Sequence, residues 1–396
     1  MNSAFLDNLT LKTLLAPVTE EVFRARYWER APLVVHRNDP DYYGDLFTLE
    51  DFDRVMANAP AKVVTAEANT GKYSRYKAKT ASIPLETILA DMREGTTLLL
   101  EQLHRSEHKL SLLCRVLEQQ LGHRFHTNLY LTPPHGRGLT PHWDDHDTFI
   151  LQVFGSKHWK TEKRRRKLPR MPEQMPNEGR ELAVDANSFT LNRGDMVYIP
   201  RGFVHAAECG SESSLHITLG VNVFTWEDLL RAAITAAALK DENLRLGLPL
   251  GFMHHGGQRL VSRAITALRD ITDEAFLSTV VDQFRDELVT TFPVDVSGQV
   301  LDFFHPVPLT AKAVVGPRRG IMYRVHDGDN SVRLNVGDRS IVFPDLFRDA
   351  LDFALTTPAF AIGELPGEIE DEERIVFIER LMQEGLVVRK QDGETP

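Results

Sequence analysis

Residues 128–159 read NLYLTPPHGRGLTPHWDDHDTFILQVFGSKHW. In this stretch and the three residues after it, NLYLT, TFILQVFG and HWKTE are short segments of alternating apolar and polar residues, set apart by Gly, Pro and Asp. That is the pattern of half-buried strands bounded by turns. The rhythm continues through SFTLNRGDMVYIP (188–200) and HITLGVNVF (216–224). Strands at this spacing make a sandwich or barrel of antiparallel sheets the expected core.

The same stretch carries the candidate chemistry. On a strand, positions i and i+2 share a face, so His142 and Asp144 of HWD can meet one ion. A third ligand comes from RGDMVYIPRGFVH (193–205), a strand and a Pro-Arg-Gly turn that delivers His205. Two imidazoles and one carboxylate on one side of a metal leave positions free, which suits non-heme Fe(II) and O₂ chemistry. Sixty residues separate Asp144 from His205, room for the intervening strands of a sandwich. A lone HxD says little; HxD followed by alternating strands and Gly-Asp-x-x-x-Ile-Pro-x-Gly-x-x-His is specific. Asp145 faces away from His142 on a strand. His146 shares the face of His142 but lies roughly 13 Å further along a strand, too far to ligate the same ion. His216 can sit near the pocket or be an ordinary strand histidine.

These motifs, with GDMVYIPRGFVHAA and SLHITLGV, resemble the JmjC-type ribosomal oxygenases, cupin-like protein hydroxylases; the N-terminal FRARYWERAPLVV is similar to their opening helix. The resemblance is dense between about 120 and 225, and the order of parts follows it along the whole chain. It implies an α+β protein with a double-stranded β-helix (cupin/JmjC) core and flanking helices. Residues 1–224 would form the catalytic domain, 225–300 a helical dimerisation domain and 301–396 an acidic winged-helix-like domain. It also implies that His142, Asp144 and His205 bind Fe(II). Lys157 in GSKHW would pair with the distal carboxylate of 2-oxoglutarate, and Asn128, Tyr130 and Thr218 would line the co-substrate pocket. The reaction implied is hydroxylation, by O₂ and 2-oxoglutarate, of a histidine or arginine side chain on a ribosomal protein. Demethylation of a methylated side chain is possible at the same centre. Without the resemblance, Lys157 reads as an exposed hairpin lysine.

Outward from the core, residues 1–60 and 85–121 read mainly as helix, the second region through Leu110, Leu113, Leu117 and Leu121 up to Gly122. After Trp226 helical spacing returns: Leu229, Ala233 and Ala237, then Ala264, Leu268 and Ile271, then Phe276, Val280 and Phe284. Pro249 and Gly251 divide this region into at least two helices, whose apolar faces suit either their own core or a second copy of the chain. The last 90 or so residues mix strand-like IMYRVH, SVRLNV and IVFP with two helices, and DEERIVFIERLMQEG runs into the strand LVVRK. This order suggests the winged-helix-like module.

Composition narrows the function. The 396 residues carry a net charge of −10, which argues against bulk nucleic-acid binding and fits a basic protein partner. Ile341–Pro396 holds 13 acidic and 5 basic residues, making a DNA-reading role for that module improbable. Lys157–Arg170 is the opposite, with eight Lys or Arg and one Glu, and its run Lys163–Arg170 can be a solvated loop or can touch rRNA or an acidic substrate surface. No apolar run approaches a membrane span. The segment MNSAFLDNLTLKTLL has acidic Asp7 and no cationic leader, so a signal peptide is not expected. Two cysteines, Cys114 and Cys209, fit buried small hydrophobes in a reducing cytoplasm rather than a disulfide framework.

Two other readings compete. HWDDHD resembles a zinc hydrolase signature, but its third position is Asp and the distal IPRGFVH has no place in it. A cupin that binds metal or ligand without catalysis is the second, and an oxygenase acting on a peptide or small molecule stays open within the first reading.

Overall fold

The computed structural model describes residues 5–58, 63–66, 85–136, 138–176, 181–254, 257–271, 273–305 and 307–390. The chain divides into two compact units, Met1–Val223 and Phe224–Pro396.

The first unit opens with helices α1 (Leu11–Leu15) and α2 (Glu20–Arg26), strand β1 (Leu33–Val35), helix α3 (Leu49–Asn58), strand β2 (Val63–Ala66), helix α4 (Leu85–Arg93) and strand β3 (Thr97–Leu100). Helix α5 (His108–Leu121) follows and ends where Gly122 adopts φ +69°, the left-handed cap that glycine accommodates without steric cost. Then come β4 (Arg124–Thr132), β5 (Asp147–Arg164), β6 (Asn187–Asn192), β7 (Met196–Ile199), β8 (Phe203–Glu208) and β9 (Ser214–Asn222).

The strand order β1-β7-β5-β9-β4-β3-β2 makes one sheet, and β6 and β8 pair with β5 outside that path. TFILQVFG and HWKTE, read separately in the sequence, are one 18-residue strand, β5. Its first half pairs with β7 and β9 and its second half with β6 and β8. Gly155 marks the bend at φ +60°, and a Cβ there would lie 1.8 Å from the Ser213 carbonyl oxygen. Only glycine fits.

Alternation along the strands divides two environments. Phe149, Leu151 and Val153 of β5, Leu215, Ile217, Leu219 and Val221 of β9, and Phe125 and Leu129 of β4 join the helices in the main core. Each such buried side chain contributes roughly 1.5–3 kcal/mol. The opposite face of the same strands carries Asn128, Tyr130, Lys157, Trp159, His216 and Thr218, residues a purely structural core would not select.

The second unit contains α6 (Trp226–Lys240), α7 (Gly257–Ile271), α8 (Glu274–Thr291) and α9 (Gln299–Phe304). Leu229, Ala233 and Ala237 of α6 pack with Phe276 and Val280 of α8, as their spacing suggests. Leu268 does not share in this, being exposed on α7. Strands β10 (Val314–Pro317), β11 (Tyr323–Gly328), β12 (Ser331–Val336) and β13 (Arg339–Pro344) precede helix α10 (Arg348–Thr356), strand β14 (Phe360–Ala361), helix α11 (Asp371–Gln383) and strand β15 (Val387–Arg389). They form two three-stranded sheets, β14-β10-β15 and β11-β12-β13, around one apolar core. Among the described residues no helix is long and apolar enough to cross a membrane.

Candidate metal centre

His142, Asp144 and His205 converge as their spacing suggests. One ligand atom from each lies within 4.8 Å of the others. His142 Nε2 is 3.7 Å and His205 Nε2 3.6 Å from the two oxygens of Asp144. The local backbone differs from the expectation, however. β5 begins only at Asp147, and His142 stands outside the named strands in an isolated bridge to His205. His205 arrives as expected, after the Pro200-Arg201-Gly202 turn between β7 and β8. Gly202 adopts φ +83°, where a Cβ would sit 1.9 Å from the Arg166 carbonyl oxygen, and its N–H donates to the Asp144 carbonyl at 3.0 Å.

Both imidazoles are oriented from behind. His142 Nδ1 lies 2.9 Å from the Thr140 carbonyl oxygen, and His205 Nδ1 lies 3.1 Å from that of Phe203. A proton on each Nδ1 leaves each Nε2 lone pair aimed at the Asp144 side, as a metal ligand requires. Burial, with the neighbouring His142, pushes His205 down to about 4, so it is neutral near pH 7. Burial raises Asp144, but His142, His146 and His205 outweigh it and hold the carboxyl below its usual range. Two imidazole nitrogens and one carboxylate are a donor set for a divalent first-row metal with positions left open.

Lys157 corrects the exposed-hairpin alternative: its side chain is 2% exposed. Its ammonium donates to Thr132 Oγ1 at 2.8 Å, and among the described residues no carboxylate lies within ion-pair reach. Burial brings its pKa down to about 8. On β5, Lys157, Trp159 and Thr161 share one buried face, and Thr161 lies opposite His205 on β8. A chain of rings links this face to the triad: Tyr130 stacks on His216 at 5.0 Å, His216 meets Trp159 edge to face at 5.4 Å, and Trp159 lies 6.2 Å from His205. Asn128 and Thr218 are direct partners across β4 and β9, and Asn128 Oδ1 accepts from the Gln102 N–H at 3.0 Å.

Several neighbours fall outside the triad. Asp145 binds the ring of His146 at 3.0 Å, and His146 packs near His126 at 5.1 Å between ring centres. In the loop before Asp144, Trp143 is buried with Met175 and Val204. Arg137 of the preceding PPHGRG segment lies outside the described residues. The basic run is largely internally engaged, with Arg164 over the Phe203 ring, Arg165 on Glu162 and Arg166 on Glu173.

What the motifs did not reveal is the brace behind His205. Arg201 is buried between Glu29, at 2.6 Å, and Asp147, at 3.4 Å. Asp147 is fully buried and also accepts from the Tyr198 hydroxyl and the Arg201 N–H. The only signal was position, a charged residue inside a Pro-x-Gly turn.

Residues 99–229 match the JmjC domain family. The chain is 29% identical over 351 residues to ribosomal oxygenase 1 of Danio rerio, covering 83% of this chain and 62% of the relative. It is 27% identical over 435 residues to the bifunctional lysine-specific demethylase and histidyl-hydroxylase NO66 of Culex quinquefasciatus, covering 94% and 65%. The chain spans less than two thirds of the length of either of these relatives. The solved structure of the Escherichia coli ribosomal oxygenase YcfD in complex with cobalt and 2-oxoglutarate has a TM-score of 0.51 at 16% identity, covering 95% of this chain and 99% of that one. The fold is thus a mixed α/β fold of JmjC/cupin type.

Proposed function

We propose that the chain, which is similar to the ribosomal oxygenases and matches the JmjC domain over residues 99–229, is a member of that family: an Fe(II)- and 2-oxoglutarate-dependent oxygenase that hydroxylates a histidine or arginine side chain of a ribosomal protein. The observation that carries this reading is Lys157, a buried ammonium without a counter-ion on the face that leads to the His142–Asp144–His205 group. A buried charge in that state is costly unless an anion completes it.

The residues divide the work. His142, Asp144 and His205 hold Fe(II), fixed by the carbonyls of Thr140 and Phe203 behind the rings. Lys157 binds the distal carboxylate of 2-oxoglutarate through a charge-assisted bond worth roughly 1.5–3 kcal/mol. Asn128, Tyr130 and Thr218 line the co-substrate's place. When bound, the metal and co-substrate supply the oxidising centre, so that O₂ and 2-oxoglutarate become succinate, CO₂ and a hydroxyl on the target C–H. The chain's own task is orientation and exclusion of water: the packed rings of Trp159, His216 and Tyr130 wall the cleft.

The sandwich of β4 to β9 is read as a double-stranded β-helix, residues 1–224 as the catalytic domain, 225–300 as a dimerisation domain and 301–396 as a winged-helix-like domain. Support for a homodimer is the exposed apolar series Trp226, Leu230 and Ile234 on α6 and Val261, Ile265 and Leu268 on α7. A net charge of −10 favours a basic partner over DNA, and a cytoplasmic location fits a ribosomal substrate. Intact-mass comparison of ribosomal proteins from cells with and without the gene tests the function. One protein heavier by one oxygen in cells that carry it names the substrate. No difference on any of them overturns the ribosomal reading and points to a peptide or small molecule.

A further inference from the structure

Two more polar atoms near Lys157 are buried and lack partners altogether. The Trp159 indole nitrogen and His216 Nδ1 are buried, in side chains of residues 5% and 2% exposed, and have no hydrogen-bond partner among the described residues. Buried polar groups are normally paired, so two unsatisfied ones beside a buried ammonium that has one neutral partner and no counter-ion call for a common cause. Their placement supplies one. The Lys157 ammonium is 5.9 Å from the centre of the Trp159 ring, and the Trp159 and His216 rings meet at 5.4 Å. His216 is neutral, since burial and then the Lys157 charge hold it well below the usual histidine range, so one of its nitrogens carries a proton to donate. Tyr130, stacked flat on His216 at an interplanar angle of 7°, fixes the plane of that ring.

A carboxylate is the group that such a set would take. It has two oxygens and about four lone-pair sites, enough for one ammonium and two neutral N–H donors, and it cancels the lysine charge. We propose that Trp159 and His216 complete, with Lys157, a three-donor subsite for the distal carboxylate of the co-substrate, and so make the cleft selective for oxo acids that carry a second carboxylate. This rests on reading the site as one for 2-oxoglutarate. In that arrangement Trp159 and His216 are specificity-determining residues, because an oxo acid ending in a methyl group would leave both of their donors unpaired and the lysine charge without a counter-ion.

Calorimetry on the full chain loaded with Mn(II), without turnover, separates the possibilities, using 2-oxoglutarate and pyruvate, which lacks the distal carboxylate. Trp159→Phe removes the N–H and keeps an aromatic ring; His216→Phe removes both nitrogens and keeps the stack on Tyr130. Each is expected to raise the Kd of 2-oxoglutarate about tenfold and to leave pyruvate binding unchanged. Unchanged 2-oxoglutarate binding in both variants overturns the proposal, as does equal weakening of both acids, which is the mark of a structural role. If Trp159→Phe loses its near-ultraviolet circular dichroism, His216→Phe decides alone. Wild-type protein that binds Mn(II) but no 2-oxoglutarate overturns the co-substrate reading itself.

Discussion

His142 and His205 exchange both backbone hydrogen bonds: the His142 N–H donates to the His205 carbonyl at 3.1 Å, and the His205 N–H to the His142 carbonyl at 2.8 Å. Two residues 63 positions apart in the chain are thereby locked as a cross-strand pair, with ring centres 4.4 Å apart. The main-chain pairing holds the two imidazoles side by side. The site is preorganised, and ligand exchange at the metal need not disturb it.

Because the fold holds the ligands, removing one should cost the metal and not the structure. Asp144→Ala is expected to melt at or above the wild-type temperature without metal and to lose the stabilisation by Mn(II), about 2.7 kcal/mol at a concentration 100 times Kd. Thermal unfolding with and without Mn(II) reads this directly. An Asp144→Ala protein that keeps the full metal-induced shift would remove that residue from the ligand set.

Lys157 predicts a pH dependence. Its folded pKa of about 8 lies below its ordinary value of 10.5. Below about 8 the ammonium is present and can pair with the carboxylate. Above it the free protein loses that charge, so the apparent Kd of 2-oxoglutarate should rise about tenfold per pH unit until the complex itself titrates. Calorimetry from pH 6.5 to 9.5 (a range of about three units) checks this, and Lys157→Arg, whose charge persists, should bind with no such slope. A wild-type affinity that is flat across the range contradicts the assignment.

The same lysine should trade stability for binding. The folded chain alone bears the desolvation of the ammonium, fully below about 8. Between about 8 and 10.5 the folded chain releases its proton while the unfolded chain keeps it, so stability rises with pH. Lys157→Met removes the cost at every pH. It should unfold at higher urea by about 1 kcal/mol or more and lose 2-oxoglutarate binding. Destabilisation by this change would mean that the ammonium is better satisfied than its single bond to Thr132 indicates.

Arg201 braces the turn before His205 through Glu29 and the fully buried Asp147. Arg201→Ala leaves a buried carboxylate without its cation and should cost about 3–5 kcal/mol in urea unfolding. Changing both Arg201 and Asp147 to apolar residues should recover part of that loss. A single variant within about 0.5 kcal/mol of wild type would show the pair to be incidental.

The triad was legible because its ligands are held close to short, specific motifs: HWD places two side chains, and the Ile-Pro-x-Gly-x-x-His turn places the third. The end of α5 at Gly122 and the alternation along β4 and β9 were legible for the same reason, since period and punctuation are local. What was hidden depends on pairing across distance. Nothing local joins TFILQVFG to HWKTE through a bend at Gly155, or brings Glu29 to Arg201 across 172 positions. Trp159 and His216 look like ordinary strand residues until the register sets them beside Lys157. Burial of Lys157 itself came only from resemblance, because a lysine after Gly-Ser reads locally as a solvated hairpin.

The most direct test of the account follows succinate, by mass spectrometry, from 2-oxoglutarate incubated with the protein, Fe(II), O₂ and purified ribosomal proteins. The account predicts succinate that requires Fe(II), rises with substrate present and vanishes in Asp144→Ala. No succinate from the wild-type protein, or the same yield from Asp144→Ala, would contradict it.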